Sequence, residues 1–426
     1  MAIDHKILIY SQQTSPRLEY VLKLICNDLW KIQWKLTHDF NQFQASSVGV
    51  INYSHRHSKM GIQIKPHALL FEKGVENQNT TISTQNKLPV FFGNDYFAMI
   101  FYMVSRYEEY LPFKADKHHR FPASQSLAFK NDFLDQPIVH LWANHLKQQI
   151  LEHFPFLKFG NRAFKIQPTY DIDMAWAIKN KGWKRQTGGL VKSILGNTFK
   201  NRLKVLSGKL KDPFDTFDYL DQVNECHLAK AKYFIQIGDF GTFDKNIAHN
   251  HPDFIVLIKK LSQKYHIGIH PSYQSNGNLN ILSKEKQRLE KIIEKPITRS
   301  RQHYLKLNFP HTYHHLLNVG INEDYSMGFQ DAIGFRAGIS IPYYWYDLSL
   351  EKETILKIFP FQIMDVTMKQ YLGWSVENAI QNVKVIQNRI ASIGGDLTYL
   401  WHNSSFYTIE GWEDWNLVLE SITTAQ

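Results

Sequence analysis

Short stretches in which apolar residues alternate with polar ones, or run together, open the chain. Lys6-Ile7-Leu8-Ile9-Tyr10 and Val48-Gly49-Val50-Ile51-Asn52-Tyr53 read as strands, with a helix expected around Arg17 to Leu24 between them. The polar run Glu76-Asn77-Gln78-Asn79-Thr80-Thr81 predicts a surface loop. Residues 90 to 155 read as helical, with the aromatic stripe Phe97 to Tyr110 expected in the core and between domains. Arg106, Glu108 and Glu109, which follow it, read as an ion-pair network.

From about residue 165 the pattern changes to regular alternation. Strands are expected at Lys165 to Asp173, Lys232 to Ile237, His266 to His270, Gln302 to Leu307, Ile358 to Phe361, Met364 to Val366 and Leu397 to Asn403. Helices are expected at Phe217 to Ala229, Asp253 to Lys264, Lys284 to Glu294, Tyr313 to Val319 and Val376 to Ile393. Such alternation indicates an α/β barrel or a doubly wound sheet. No Gly-rich phosphate loop follows any strand, and Gly238-Asp239-Phe240-Gly241 is too short a match for a dinucleotide site.

Composition narrows this picture. At 426 residues the chain exceeds one comfortable core, so two domains are expected, residues 1–160 and 161–426. Hydrophobic content of 43% and aromatic content of 14% indicate a globular protein. Two cysteines, Cys26 and Cys226, exclude a disulfide framework and a cysteine-based zinc site. Met1 to Lys6 lacks a basic region leading into a long apolar run, and the apolar run near Tyr96 to Val104 is too short to span a bilayer. A cytoplasmic protein is expected.

The formal net charge of +10 has a location. Lys179, Lys181, Lys184, Arg185, Lys192, Lys200, Arg202, Lys204, Lys209 and Lys211 lie between Ala177 and Lys211 without a single Asp or Glu. Leu190, Val191, Ile194, Leu195, Phe199, Leu203, Leu206 and Leu210 recur there at helical spacing, which predicts a basic amphipathic helix or helix pair. It suits contact with an anionic glycan or an anionic membrane surface, or a solvated helix packed on the barrel. No nucleic-acid-binding motif accompanies it.

Two segments carry candidate chemistry. In Tyr170-Asp171-Ile172-Asp173-Met174, alternation puts both carboxylates on one side at the end of a strand. His270 ends the strand His266-Ile267-Gly268-Ile269-His270, and α/β folds keep their chemistry at such ends. The group suits a divalent metal with one carboxylate left as a base; equally, Asp171 and Asp173 could cap the following helix.

With His402 in Leu400-Trp401-His402-Asn403, these residues resemble the polysaccharide deacetylases of the NodB type (carbohydrate esterase family 4). Phe101 to Pro112, Gly268 to Tyr273, Asp324 to Gly328, Gly334-Phe335-Arg336-Ala337-Gly338 and Leu400 to Asn403 look like a bacterial subgroup with its own N-terminal domain. The deacetylase-like part covers roughly residues 160 to 420, and the subgroup resemblance nearly the whole chain. The resemblance implies a distorted (β/α)7 barrel preceded by a smaller α/β domain. It implies metal-assisted hydrolysis of an amide, with Asp171 as general base and His402 as general acid. The metal, most simply zinc, would be held by Asp173 and His270; Ile172 stands where the family places its metal Asp. The family's second histidine falls on Gln274, and His303, expected on the next strand, could substitute for it. The arginine that orients the base would be Arg301 by chain order or Arg336 by its Gly-Phe-Arg-Ala context, and Asp365 would orient His402.

The activity so implied is N-deacetylation of an acetamido sugar in a cell-envelope polysaccharide or its lipid-linked precursor. The alternative is an altered or inactive barrel that serves as a glycan-binding assembly protein at the inner membrane face, peripheral to it through residues 177–211.

Overall fold

The computed structural model describes residues 6–182, 199–225, 230–406 and 411–423. In the first part, Lys6–Ser11 is flanked by Gln33–Thr37 and Gly49–Tyr53, with Ile62–Ile64 outermost, and all four strands run parallel. Parallel strands need crossovers that cover the sheet faces, and Ile7, Ile9 and Ile51 are accordingly fully buried. The first crossover helix, Pro16–Lys23, starts where Ser15 accepts the Leu18 N–H and proline occupies its first turn. It continues into a wider π turn over Leu24–Leu29 that buries the free thiol of Cys26, while Cys226 lies outside the described residues.

The region expected to be helical from 90 to 155 is more broken than its apolar content suggested. All nine residues of the helix Tyr96–Val104 are buried, and further helices form at Leu127–Lys130 and Ile138–His153. Between them lie turns and extended chain, because Arg106 takes a left-handed φ of 55° and Pro112, Pro122 and Pro137 cannot continue a helix.

The second part is built on one nine-stranded sheet. Its order runs Tyr343–Asp347, Lys352–Ile358, Glu323–Asp324, Arg299–Ser300, His266–His270, Lys232–Gln236, Lys165–Ile172, Asp396–His402, Ile363–Met364. Every pairing is parallel except that of the edge strand Tyr343–Asp347 with Lys352–Ile358. The stretch after Ile358 draws the two sides of the sheet together. Phe359 N–H donates to Asp324 O at 2.8 Å, Phe361 N–H to Met327 O at 3.0 Å, and Gln362 N–H to Thr398 O at 3.0 Å. Register then sets the chemistry: His402 lies beside Asp171, and His270 beside Gln236. Gly268 is required inside its strand, since a Cβ there would come within 2.6 Å of the Phe234 ring.

Two expected strands are absent: Ile358 to Phe361 starts where the strand Lys352–Ile358 ends, and Gln302 to Leu307 does not form. Only Arg299–Ser300 pairs in the sheet; His303–Leu305 is a 3₁₀ turn in which Tyr304 and Leu305 have φ of 60° and 52°. The alternation of Gln302 to Leu307 misleads because left-handed residues reverse the chain there. The expected basic helix is described only in part: Phe199–Leu206 is helical, and residues 183–198 lie outside the described residues.

Buried residues from both parts form one contiguous apolar cluster. Buried ions cross it. Arg106 donates to Glu109 at 2.7 Å and Glu108 at 2.8 Å, and Arg336 donates Nε to Glu109 at 2.9 Å and Nη1 to the Gly328 carbonyl at 3.0 Å. Removing the Glu109 carboxylate would leave Arg336 without an acid partner and Arg106 with Glu108 alone, and neither guanidinium can deprotonate. Glu109→Ala is therefore expected to destabilise the protein by about 3–5 kcal/mol. Urea unfolding would check this, and a loss below about 1 kcal/mol, the range of an exposed pair, would contradict it.

Candidate active site

Asp171 reaches the mouth of the sheet as the penultimate residue of Lys165–Ile172, and it is almost wholly buried. Its Oδ1 accepts from Arg301 Nη1 at 2.9 Å. Arg301, with no exposed surface, also donates Nη2 to Thr169 Oγ1 at 2.7 Å and Nε to the Tyr325 carbonyl at 2.9 Å. Asp171 Oδ2 lies 3.6 Å from His270 Nε2.

Three imidazoles converge on Asp173. His270 Nε2 is 3.1 Å from its Oδ1, and the Nε2 atoms of His303 and His402 are 3.7 and 3.8 Å from its Oδ2. Each ring is anchored through Nδ1: His270 on the Arg301 carbonyl at 2.6 Å, His303 on Asp244 at 2.9 Å, His402 on Asp365 at 2.8 Å. A carbonyl or carboxylate cannot donate, so every Nδ1 carries the proton and every Nε2 faces the centre. Burial alone would raise the pKa of Asp173, but His303, His270 and His402 outweigh it and hold the group well below the usual range. Burial opposes charge on His303 too; Asp173 and Asp244 overcome it and lift the ring to about 9. For His402, burial is overcome by Asp365 first, then Asp173 and Asp171, and the ring rises to about 10.

Asp173, His270 and His303 are a group that could hold a metal ion, with one ligand atom from each lying within 4.8 Å of the others. The fit is chemical as well as spatial. Asp173 Oδ1 is buried without a hydrogen bond, although an imidazole nitrogen stands 3.1 Å away. One oxygen and two imidazole nitrogens, each ring braced by a partner on its far nitrogen, match a borderline divalent cation.

The expected residues are thus brought together with one exception. Asp171, Asp173, His270, His303 and His402 line a cavity of about 340 Å³. Asp365 and Arg301 stand directly behind His402 and Asp171. Arg336 is elsewhere: it is spent on Glu109 and Gly328, with Phe329 beneath its guanidinium, and makes no contact with Asp171. His303 arrives from a turn, not from a strand. Gln274 is exposed and does not line the cavity.

Several contributors were not anticipated. Asp244, which braces His303 and also accepts the Tyr273 N–H at 3.0 Å, sits in a loop with no local signal. Arg120 lines the cavity from the first part of the chain, donating to the Tyr304 carbonyl at 2.7 Å and to Asp116 at 2.7 Å. The run Lys117-His118-His119-Arg120 was the available clue. Leu305, Met364, Val366 and Leu400 give the cavity an apolar wall, and Phe243, Tyr304, Tyr371 and Trp412 give it an aromatic rim.

Residues 7–155 match the model of a family of unknown function, DUF7033. No curated protein matches the chain. Among solved structures, a presumed polysaccharide deacetylase from Mycobacterium smegmatis aligns at 14% identity and a TM-score of 0.40, over 63% of this chain and 86% of that one. A polysaccharide deacetylase from Bacillus cereus aligns at 13% identity and a TM-score of 0.29, over 62% of this chain and 87% of that one. At such scores the likeness carries no argument, and function is read from the site itself.

The protonated state of His402 has a measurable consequence. Its pKa is raised from 6.5 to about 10, so the stability it contributes is complete below pH 6.5 and is lost as pH rises through about 10. In metal-free protein, the stability gap between wild type and Asp365→Asn should narrow across that window. Urea unfolding along a pH series would show it; a gap that stays constant would mean that His402 is not held protonated by Asp365.

Proposed function

We propose that the protein is a metal-dependent amidohydrolase that removes the acetyl group from an acetamido sugar of a cell-envelope polysaccharide or its lipid-linked precursor. On this reading the sheet is a distorted (β/α)7 barrel, the stretch Lys352–Met364 serving as a single stave between its neighbours. The observation that carries the proposal is the division of labour around one cavity. A buried carboxylate is held by an arginine, an Asp-His-His group stands beside it, and a histidine raised to about 10 faces both.

Asp173, His270 and His303 would hold the metal, and zinc suits a donor set of one oxygen and two nitrogens without thiolate. When bound, such an ion polarises an amide carbonyl and acidifies water. Asp171, with Oδ1 held by Arg301, keeps Oδ2 to accept a proton from the attacking water. His402, its Nδ1 fixed on Asp365, presents Nε2–H to the cavity and protonates the departing nitrogen. Water adds to the carbonyl carbon, the C–N bond breaks, and acetate and a free amine result. Leu305, Met364, Val366 and Leu400 suit the acyl methyl, and the aromatic rim suits sugar rings.

Asp171→Asn should lower kcat for an acetylated amino-sugar oligomer by about 10²- to 10⁴-fold with little change in KM. It should leave metal content, measured by elemental analysis, unchanged, whereas His270→Ala should lose the metal. Wild-type turnover by Asp171→Asn would refute the mechanism. Stoichiometric metal and oligosaccharide binding without any acetate release would instead favour the glycan-binding reading.

A further inference from the structure

The chain between the strand bearing Asp171 and the helix Phe217–Glu225 leaves and rejoins the barrel at one place. Asp212, 2% exposed, accepts the N–H groups of Ala177 at 2.8 Å, Ile178 at 2.9 Å, Lys179 at 2.9 Å and Phe214 at 3.1 Å. Asn403, the neighbour of His402, donates to the carbonyls of Met174 at 3.0 Å and Phe214 at 2.8 Å. Thr216 Oγ1 donates to the Asn403 carbonyl at 2.9 Å. This neck stands on the rim of the candidate active site.

What the excursion presents is unusual in sign and in polarity. The helix Phe199–Leu206 buries Val205 and leaves Leu203 and Leu206 43% and 40% exposed, with Leu210 just beyond it at 45%. Positions 199, 203 and 206 are four and three residues apart, so they share one helix face. Single exposed leucines are ordinary on a soluble protein, but a stripe of them is not. Lys200, Lys204 and Lys209 are exposed beside the stripe, and residues 177 to 211 contain no acidic residue. The strand next to Asp171's is followed by a loop on the same rim, where Phe240 is 60% exposed with Lys245 Nζ 4.9 Å over its ring.

We infer that this rim is a docking surface for an anionic lipid bilayer, with Leu203, Leu206, Leu210 and Phe240 entering the headgroup boundary and the surrounding cations meeting lipid phosphates. Charge decides the occupant: residues 177 to 211 carry only basic charge and are studded with apolar side chains, and the exposed Asp239 beside Phe240 is paired with Arg288, so the surface complements a fluid anionic interface, which needs no matching relief. No membrane-spanning helix is required, and no helix among the described residues is long and apolar enough to be one. Docking would turn the cavity toward the headgroup plane, where a lipid-linked glycan presents its sugars. The inference concerns binding and stands whether or not the cavity hydrolyses amides.

Flotation of the full chain with vesicles of phosphatidylcholine alone, or mixed with phosphatidylglycerol, tests it without any activity readout. The protein should float with the anionic vesicles only. Raising salt from physiological to molar, where the Debye length falls from about 8 to about 3 Å, should release it. Replacing Leu203, Leu206 and Leu210 together by Ser, or Lys200, Lys204 and Lys209 together by Gln, should each cut the bound fraction about tenfold while circular dichroism stays native. Equal binding to both vesicle types, binding to neither, or undiminished binding by both triple variants would overturn the inference. So would a lipid-free dimer that the triple Ser variant dissolves, since the stripe would then belong to a second copy.

Discussion

A guanidinium with no exposed surface cannot shed its charge, so everything around Arg301 has to answer it. Asp171, Thr169 and the Tyr325 carbonyl take its three donor directions, and the rings of Phe234 and Phe361 lie 4.5 and 5.7 Å from its carbon centre. Its own carbonyl accepts Nδ1–H of His270. One residue thus fixes the free oxygen of the candidate base and the tautomer of a candidate metal ligand. It also bonds across to the strand of Asp171 and to the chain just past Glu323–Asp324. The aromatic packing keeps water from weakening the Arg301–Asp171 pair at the mouth of the sheet.

The same rule, anchor the far nitrogen and aim the near one, is applied three times with different anchors. His303 and His402 rest on carboxylates; Asp173 and then Asp244 lift His303 against its burial, and Asp365 and then Asp173 lift His402. Asp173 gains in return, since the rings around it depress its pKa. Without a cation, His303 and His402 both favour their protonated forms beside one carboxylate. With one, the Nε2 proton of His303 would have to leave, so metal affinity should rise with pH.

Much of the frame was legible because it is local. The strands ending at Ile172, His270 and His402, and the helices Pro252–Lys264 and Val376–Ser392, announce themselves by period and by length. The placement of Asp171 beside His402 follows from parallel pairing of two such strands. The unread parts depend on the distant chain. The choice between Arg301 and Arg336 was open from sequence because the residue that claims Arg336 is Glu109, 227 positions earlier. Asp244 has meaning only once its loop meets His303, 59 positions later. His303 itself was assigned to a strand because alternation cannot reveal that Tyr304 and Leu305 turn left-handed.

That turn shows why the first part of the chain matters to the site. Left-handed φ values at a tyrosine and a leucine are costly and persist only where surroundings impose them. Here the surroundings come largely from outside the nine-stranded sheet. Arg120 holds the Tyr304 carbonyl, the His118 ring packs 4.8 Å from Tyr304, and Tyr304 in turn packs 4.7 Å from the His303 ring. His118 Nδ1 also lies 3.3 Å from the hydroxyl of Tyr273, whose backbone N–H is bound by the Asp244 carboxylate that braces His303. The Nε2 of His303 is therefore aimed by two routes, both of which pass through residues 118–120. The second part cut free of the first would keep Asp171, Arg301 and His402 in register but would lose the contacts of His118 and Arg120, leaving Asp244 as the side-chain anchor of His303.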